Sequence, residues 1–291
     1  MSDASTNITD PIFARAAATP HAIALIEGGT AFSYAAICAA AGRAAQAMLQ
    51  AGRREGDVIG IAAQGSAVLQ LAASLALARM GMTQAWLAPD DSAPLRAATV
   101  SRLGITAVLA DLDPAWLEGI EAAVPRGEGG SRAWILTQSS GTTATPKTIF
   151  VSHSDEAARR ARFAPLTGYR PGERYLGLPP LRFYVGLAHA LRCLAEGGTL
   201  VVPRAGATPQ EAIGAIELHD VTYLMCNAVQ LENLLHELPA AGPRLPGLRV
   251  LRVITSALSP ELLSRARQAL TPNVFVSYGT NEAGEIGRAH V

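Results

Sequence analysis

An α/β fold built on largely parallel sheets is what this sequence predicts, and three observations predict it. Short apolar runs recur along the chain, helix-length segments with capping signals fall between them, and glycine or proline marks the joins. Strands apolar on both faces belong in parallel sheets covered by helices on either side. Such sheets bind ligands beyond the carboxyl ends of their strands.

Taken in order, a polar start leads to a strand at Ala22–Ile26 and a turn at Gly28-Gly29. Ser33 caps an alanine-rich helix from Tyr34 to about Gln50, closed by Gly52. Val58–Ala62 is a wholly apolar strand. A helix over Ala67–Met80 ends at Gly81, and Ala85–Leu87 runs to the turn at Pro89-Asp90-Asp91. A helix near Pro94–Leu103 and a strand at Thr106–Leu109 continue the alternation. Gly127-Glu128-Gly129-Gly130-Ser131 has the composition of a flexible linker. Ser152 and Asp155 stand at capping-box spacing, starting a helix that should stop at Pro165. Further strands fit Tyr175–Leu178, Thr199–Val202, Thr222–Met225, Val250–Ile254 and Val274–Ser277. Helices fit Val185–Ala195, Pro209–Leu218, Ala228–Leu238 and Pro260–Leu270.

With 291 residues, 49% of them hydrophobic, the chain can bury a large core and hold more than one subdomain. Its 24 basic and 24 acidic residues balance, so nothing suggests electrostatic capture of nucleic acid or an anionic membrane. Cys38, Cys193 and Cys226 are odd in number, widely spaced and free of any C-x-x-C pair. That pattern predicts buried thiols in a reducing cytosol rather than disulfides or a zinc site. The N-terminus carries Asp3 and Asp10 and lacks the apolar core of a secretory signal. The most apolar stretch, Val185–Val202, is broken by Arg192 and Glu196, so no membrane span and a cytoplasmic location are expected.

The residues that carry chemistry cluster in Thr137–Thr148. Between the apolar runs Ala133–Leu136 and Ile149–Val151 lie Ser139, Ser140, Gly141, Thr142, Thr143, Pro146 and Lys147. Most Ser/Thr-rich stretches are solvated turns. Here the hydroxyls and free backbone N–H groups suit a polyphosphate, Gly141 permits close approach, and Lys147 adds a mobile point charge. Gly141–Thr148 superficially matches a Walker A loop. Pro146, however, stands at the second glycine and has no N–H to offer, and a strand rather than a helix follows.

The loop instead resembles the phosphate loop of the adenylate-forming superfamily: acyl-CoA synthetases, peptide-synthetase adenylation domains and luciferases. Its pattern, [ST]-S-G-[ST]-T-G-x-P-K-G, is met except at Ala144 and Thr148, which replace two glycines. A second signature of that superfamily, Y-G-x-T-E, resembles Tyr278-Gly279-Thr280-Asn281-Glu282, with Asn281 in place of threonine. Read without the family, an aromatic ring there can stack on a nucleobase, worth roughly 1–3 kcal/mol by analogy with nucleic-acid sites. Gly279 allows close backbone approach, and Glu282 is a hard oxygen ligand for Mg²⁺. Leu251–Pro260 resembles the turn bordering the adenine, with Thr255-Ser256 where glycines are common and Ala257 following. Phe32-Ser33-Tyr34, Gly56-Asp57-Val58 and Leu75–Pro89 extend the likeness to nearly the whole chain up to Gly284.

The resemblance implies the N-terminal domain of adenylate-forming enzymes: two largely parallel sheets sandwiched by helices, lacking the small C-terminal domain. It implies ATP, Mg²⁺ and a thiol acceptor, CoA or a carrier protein's phosphopantetheine. A carboxylate attacks the α-phosphorus of ATP, pyrophosphate leaves, and the thiol takes the acyl group. By the same resemblance Lys147 and Glu282 are catalytic, with Glu282 holding the metal. Ser139, Ser140, Gly141, Thr142, Thr143, Ser256, Ala257, Tyr278, Gly279, Thr280 and Asn281 border the nucleotide. Phe183, Tyr184 and Gly186 fall in the segment that holds the acid. Peptide-synthetase domains usually place an aspartate after that phenylalanine to pair an α-amino group. Tyr184 stands there instead, which favours an aryl or fatty acid. His153, His189 and Arg182 read more simply as structural or surface residues. A carrier-loading adenylation domain and a catalytically silent nucleotide-binding module are the alternatives.

Residues 285–291 are expected to be a non-native tail. ATC GGA AGA GCA CAC GTC, a string within a common short-read sequencing adapter, encodes Ile286–Val291. On that reading residues 1–284 are a truncated adenylation domain that cannot complete thioester formation.

Overall fold

The computed structural model describes residues 6–119, 123–138, 147–238, 245–254, 257–281 and 284–290. In chain order the first elements are α1 (Asp10–Ala18), β1 (Ile23–Glu27), β2 (Thr30–Ser33), α2 (Tyr34–Gln50), β3 (Val58–Ile61), α3 (Ala67–Arg79), β4 (Thr83–Trp86), α4 (Ala93–Leu103) and β5 (Ala107–Leu109). A 3-10 turn, Pro114–Leu117, precedes β6 (Ala133–Gln138), β7 (Thr148–Ser152), α5 (His153–Thr167), β8 (Arg174–Gly177), α6 (Tyr184–Ala195) and β9 (Thr199–Val202). Then come α7 (Pro209–Leu218), β10 (Tyr223–Asn227), α8 (Ala228–Glu237), β11 (Val250–Ile254), α9 (Pro260–Ala269), β12 (Val274–Thr280) and β13 (Gly284–His290).

The chain divides into two compact units. One comprises Met1–Ile23, Phe32–Gly168 and Leu181–Tyr184; the other comprises Ala24–Ala31, Tyr169–Pro180 and Val185–Val291. The first holds a five-stranded sheet in the order β5-β3-β4-β6-β7, parallel except for the β6–β7 hairpin. Its α3 is buried from Ala67 to Ala78 except at Gln70, as expected of a helix apolar on every side. Helix α2 packs on α3, and its Ala40, Ala41, Ala44 and Ala45 are all buried. Ser33 caps α2, its Oγ accepting from the Ala36 N–H at 3.1 Å.

The second unit holds an eight-stranded sheet in the order β13-β12-β11-β10-β8-β9-β1-β2. Strands β12, β11, β10, β8, β9 and β1 are parallel in sequence of pairing, and β13 closes one edge antiparallel to β12. One apolar cluster gathers Leu176, Leu224, Leu251 and Val253 from the sheet with Ile216, Leu231, Leu234 and Ala266 from α7, α8 and α9. Capping boxes start α7, between Thr208 and Glu211, and α8, between Asn227 and Gln230.

Four expectations are corrected. The polar start contains α1, with Pro11 in its first turn and Ile12 buried. Helix α5 passes Pro165 and ends at Gly168 in the left-handed conformation (φ 71°). Proline removes one hydrogen bond, and in the last turn of a helix that loss is small. Residues 30–33 and 284–290 form strands not foreseen.

The glycine-rich stretch at 127–131 is the fourth. Gly127 N–H donates to the Arg79 carbonyl at 2.9 Å and Gly130 N–H to the Thr6 carbonyl at 2.7 Å. A Cβ on Gly127 would collide with the Met80 carbonyl, and one on Gly129 with that of Thr6. These glycines admit a neighbouring backbone rather than loosen a linker. All three cysteines are buried and free, as their spacing suggested, and burial pushes the Cys226 thiol up to about 12.

The N-terminal segment closes over His153, which is fully buried at the start of α5. Its Nδ1 accepts from the Ile8 N–H at 3.2 Å, and its Nε2 has no hydrogen-bond partner among the described residues. Burial lowers its pKa from 6.5 to about 4; Asp10 opposes the shift, and Arg126 and Arg132 add to it. The unfolded chain therefore binds more protons than the folded one between these values. Stability should be full above pH 6.5 and fall by on the order of 2 kcal/mol towards pH 4, read by urea unfolding across that range. His153→Asn, which keeps an acceptor near Nδ1, should flatten this pH dependence.

Candidate functional site

In the first unit, β6 and β7 pair from Ala133↔Ser152 to Gln138↔Thr148, so the chain leaves and re-enters one hairpin around the hydroxyl loop. Strand β6 also runs parallel to β4, so Gln138, its last residue, stands at the carboxyl edge of the parallel strands. Ser139, Ser140, Gly141, Thr142 and Thr143 lie outside the described residues. Lys147 is described and exposed, immediately before β7. It is the only lysine in the chain, the other 23 of the 24 basic residues being arginines.

In the second unit, Asn227, Ile254 and Ser277 form one row across β10, β11 and β12. Beyond that row stand Ala257, exposed after β11, and Tyr278, Gly279 and Thr280, exposed at the end of β12. Pairing of β12 with β13 shifts register between Tyr278 and Gly279, an irregularity that re-aims side chains. Tyr278 is 66% exposed, whereas the chain's other five tyrosines are buried. Asn281 is half-buried; Ser256 and Glu282 lie outside the described residues. In the second unit Ala257 and Tyr278–Thr280 thus all follow the carboxyl ends of neighbouring parallel strands.

Phe183, Tyr184 and Gly186, the residues expected to border the acid, divide between the units. In the first, Phe183 is 51% exposed, and the Arg182 guanidinium lies 4.8 Å from its ring centroid. Tyr184 is buried, its ring centroid 6.2 Å from that of Trp134. Its hydroxyl donates to Glu156 Oε2 at 2.6 Å and accepts from Arg159 Nη1 at 2.7 Å. Both charged residues belong to α5 and are buried. Sequence reasoning found no acid near Tyr184, because Glu156 is distant along the chain. The available signal was an acid and an arginine three apart on one helix, which reads equally well as a solvated pair.

In the second unit, Gly186 opens α6 against the Pro179 and Pro180 carbonyls, leaving no room for a Cβ. His189 is buried, its Nδ1 2.8 Å from the Tyr169 hydroxyl. Burial, reinforced by Arg192 and Arg252, holds its pKa well below the usual histidine value. An uncharged histidine tied to a tyrosine in an aromatic cluster fits the structural role expected of it. Among the described residues no cluster of three or more His, Cys, Asp or Glu could hold a metal, and no helix is long and apolar enough to cross a membrane.

The family model for the AMP-binding enzyme matches residues 12–290. The chain belongs to the AMP-binding enzyme family. Within it, a probable non-canonical nonribosomal peptide synthetase, CymA, of Salinispora arenicola is 30% identical over 280 residues, covering 92% of this chain and 3% of that protein. A peroxisomal butyrate–CoA ligase of Arabidopsis thaliana is 31% identical over 151 residues, covering 51% of this chain and 26% of the ligase. Among solved structures, o-succinylbenzoate coenzyme A synthetase of Bacillus subtilis in complex with AMP has a TM-score of 0.86 at 22% identity. It covers 98% of this chain, which spans 61% of the synthetase. The fold is that of the N-terminal domain of adenylate-forming enzymes.

The close approach of the Pro179 and Pro180 carbonyls makes Gly186 sensitive to substitution. Gly186→Ala should lower the thermal midpoint, by on the order of 1–3 kcal/mol of overpacking against two carbonyls. Calorimetry of the purified variant checks it.

Proposed function

We propose that this chain is the nucleotide-binding core of an enzyme that activates a carboxylic acid with ATP and delivers it to a thiol. The observation that carries the reading is Tyr278: the one tyrosine left in solvent, at the carboxyl end of a parallel strand, beside a register shift. An exposed aromatic face there suits an adenine, and Thr280 and Asn281 beyond it offer neutral oxygen and amide groups to phosphate. The solitary lysine supports the same reading. In a chain that otherwise uses arginine for every cation, Lys147 supplies a compact, mobile charge at the exit of the hydroxyl loop.

On this reading Ser139, Ser140, Thr142, Thr143 and Lys147 hold the departing pyrophosphate, and Tyr278 stacks on the base. Glu282 would hold the Mg²⁺ that accompanies ATP, and the ion would supply charge neutralisation at the phosphate oxygens. The carboxylate of the acid attacks the α-phosphorus; the P–O bond to pyrophosphate breaks, and an acyl-adenylate remains. The residues contribute position and charge rather than covalent chemistry. The acyl acceptor is the thiol of CoA. A carrier-protein thiol is the second reading, favoured by the likeness to CymA, a probable peptide synthetase.

Because Lys147 is the only lysine, an ATP probe carrying a lysine-reactive acyl phosphate has one side-chain target in the chain. Labelling at Lys147 that MgATP suppresses is the expected result; labelling indifferent to MgATP would sink the nucleotide assignment. Acid-dependent ATP–pyrophosphate exchange, by the chain and by the product of its complete gene, tests the chemistry. Tyr278→Ala should raise KM for ATP about tenfold or more, as loss of one stacked base predicts.

A further inference from the structure

We propose that His153 and the N-terminal strap at residues 6–10 set the register of the β6–β7 hairpin from its open end, and that His153 is thereby a positioning residue for Lys147. The inference rests on the adenylating reading and deepens it, since that reading assigns Lys147 to the departing pyrophosphate. All the residues concerned belong to the first unit. Hairpin register is ordinarily fixed by a short turn, or by an apolar pattern that buries one face. Neither suffices here. Nine residues, 139–147, separate the members of the last pair, Gln138↔Thr148, too many for a turn type to dictate the pairing. The run Ile149-Phe150-Val151 is apolar at every position. Patterning therefore discriminates weakly against a one-residue slip that exchanges the buried Val151 for the exposed Phe150.

The open end is where the hairpin is held. Its pairing shifts between Ala133 and Ile135, an irregularity opposite Ser152 and Val151. Just beyond, the His153 N–H donates to the Arg132 carbonyl at 3.0 Å and the Ser154 N–H to the Gly130 carbonyl at 2.8 Å. The strap bonds to both sides of this junction. Thr6 accepts from the Gly130 N–H at 2.7 Å, ahead of β6, and the Ile8 N–H donates to His153 Nδ1 at 3.2 Å, just after β7. The strap is itself fixed to α3, Asn7 Nδ2 donating to the Ala78 carbonyl at 3.0 Å and Asp10 accepting from Arg79 at 2.6 Å. Slippage of β7 would draw the fully buried imidazole off the Ile8 N–H and leave its acceptor nitrogen unsatisfied. At the other end of the strand the same slip would displace Lys147 by about 3.4 Å. Misplacement by about 1 Å is enough to lower a rate about a hundredfold.

A disulfide across the hairpin reports its register independently of catalysis. Thr137 and Ile149 are paired directly, so Thr137→Cys with Ile149→Cys should cross-link on oxidation. Adding His153→Leu, which fills the space but removes the acceptor, should slow that cross-linking about tenfold. His153→Asn, which keeps an acceptor, should restore much of the rate. Asn7→Ala, which loosens the strap without touching the hairpin, should slow it in the same way. Cys38, buried in the same unit, should stay closed to a thiol reagent in each protein, as the sign that the unit is folded. If His153→Leu opens Cys38, Asn7→Ala decides alone. Without the added cysteines, both loosening variants should lower MgATP-suppressible labelling of Lys147 by the acyl-phosphate ATP probe about tenfold, while a general amine reagent modifies Lys147 at an unchanged rate. Cross-linking unaffected by the folded variants overturns the register lock. Slower cross-linking with unchanged probe labelling overturns the positioning role. Labelling of the unaltered protein that MgATP fails to suppress overturns the adenylating reading instead, and the cross-link still decides the register.

Discussion

Parallel pairing in strict register is the constraint on which the rest of this structure depends. In the second unit the rows Tyr223↔Val250 through Asn227↔Ile254, and Leu251↔Val274 through Ile254↔Ser277, run without interruption. Strand β11 is buried throughout its paired length, Arg252 included, and β10 is buried from Tyr223 to Cys226. Past the last common row, Asn227↔Ile254↔Ser277, Tyr278 leaves the core and Ala228 begins a helix. A side chain meant for a ligand need only be written one residue past the row.

Much of this was legible because the signals are local. Ser33 and Ser152 each cap the helix that the sequence starts at them, and runs such as Thr199–Val202 and Val250–Ile254 are strands with the expected limits. The turn at Gly28-Gly29 is present with both glycines at positive φ. What escaped was not local. Gly127 and Gly129 have a linker's composition, and only the backbones of Met80 and Thr6, brought against them by the fold, show why no side chain is tolerated. The same holds for Glu156 and Arg159, which read as surface charges until Tyr184 is seen between them. Of the site, Lys147 and the Tyr278 turn were visible from residue type and strand-end position, while the partners that hold Tyr184 were not.

Polar contacts, exposed at Asp10 and buried at Asn7 and His153, join distant chain segments in the first unit. Asp10 accepts from Arg79 at 2.6 Å and from Arg126 in a two-pronged contact at 2.9 Å, tying α1 to α3 and to the glycine-rich strap. His153 receives the Ile8 N–H, and Asn7 reaches the Ala78 carbonyl at 3.0 Å. Apolar contacts alone would not fix such a strap, since they are non-directional and tolerate sliding. Hydrogen bonds inside a low-dielectric interior specify one arrangement, because each alternative leaves a group unsatisfied.

The same asymmetry sets how selective the proposed enzyme can be. Between two acids differing by a methylene, an apolar site discriminates by only about 1–3 kcal/mol, so a family of aryl or aliphatic acids should be accepted with modest preferences. An ammonium group is a different matter. It must be desolvated on entry, and a desolvated charge without a partner costs more than a few apolar contacts return. The run Leu181–Gly186 carries no acid of its own, so discrimination by charge should be steeper than discrimination by shape.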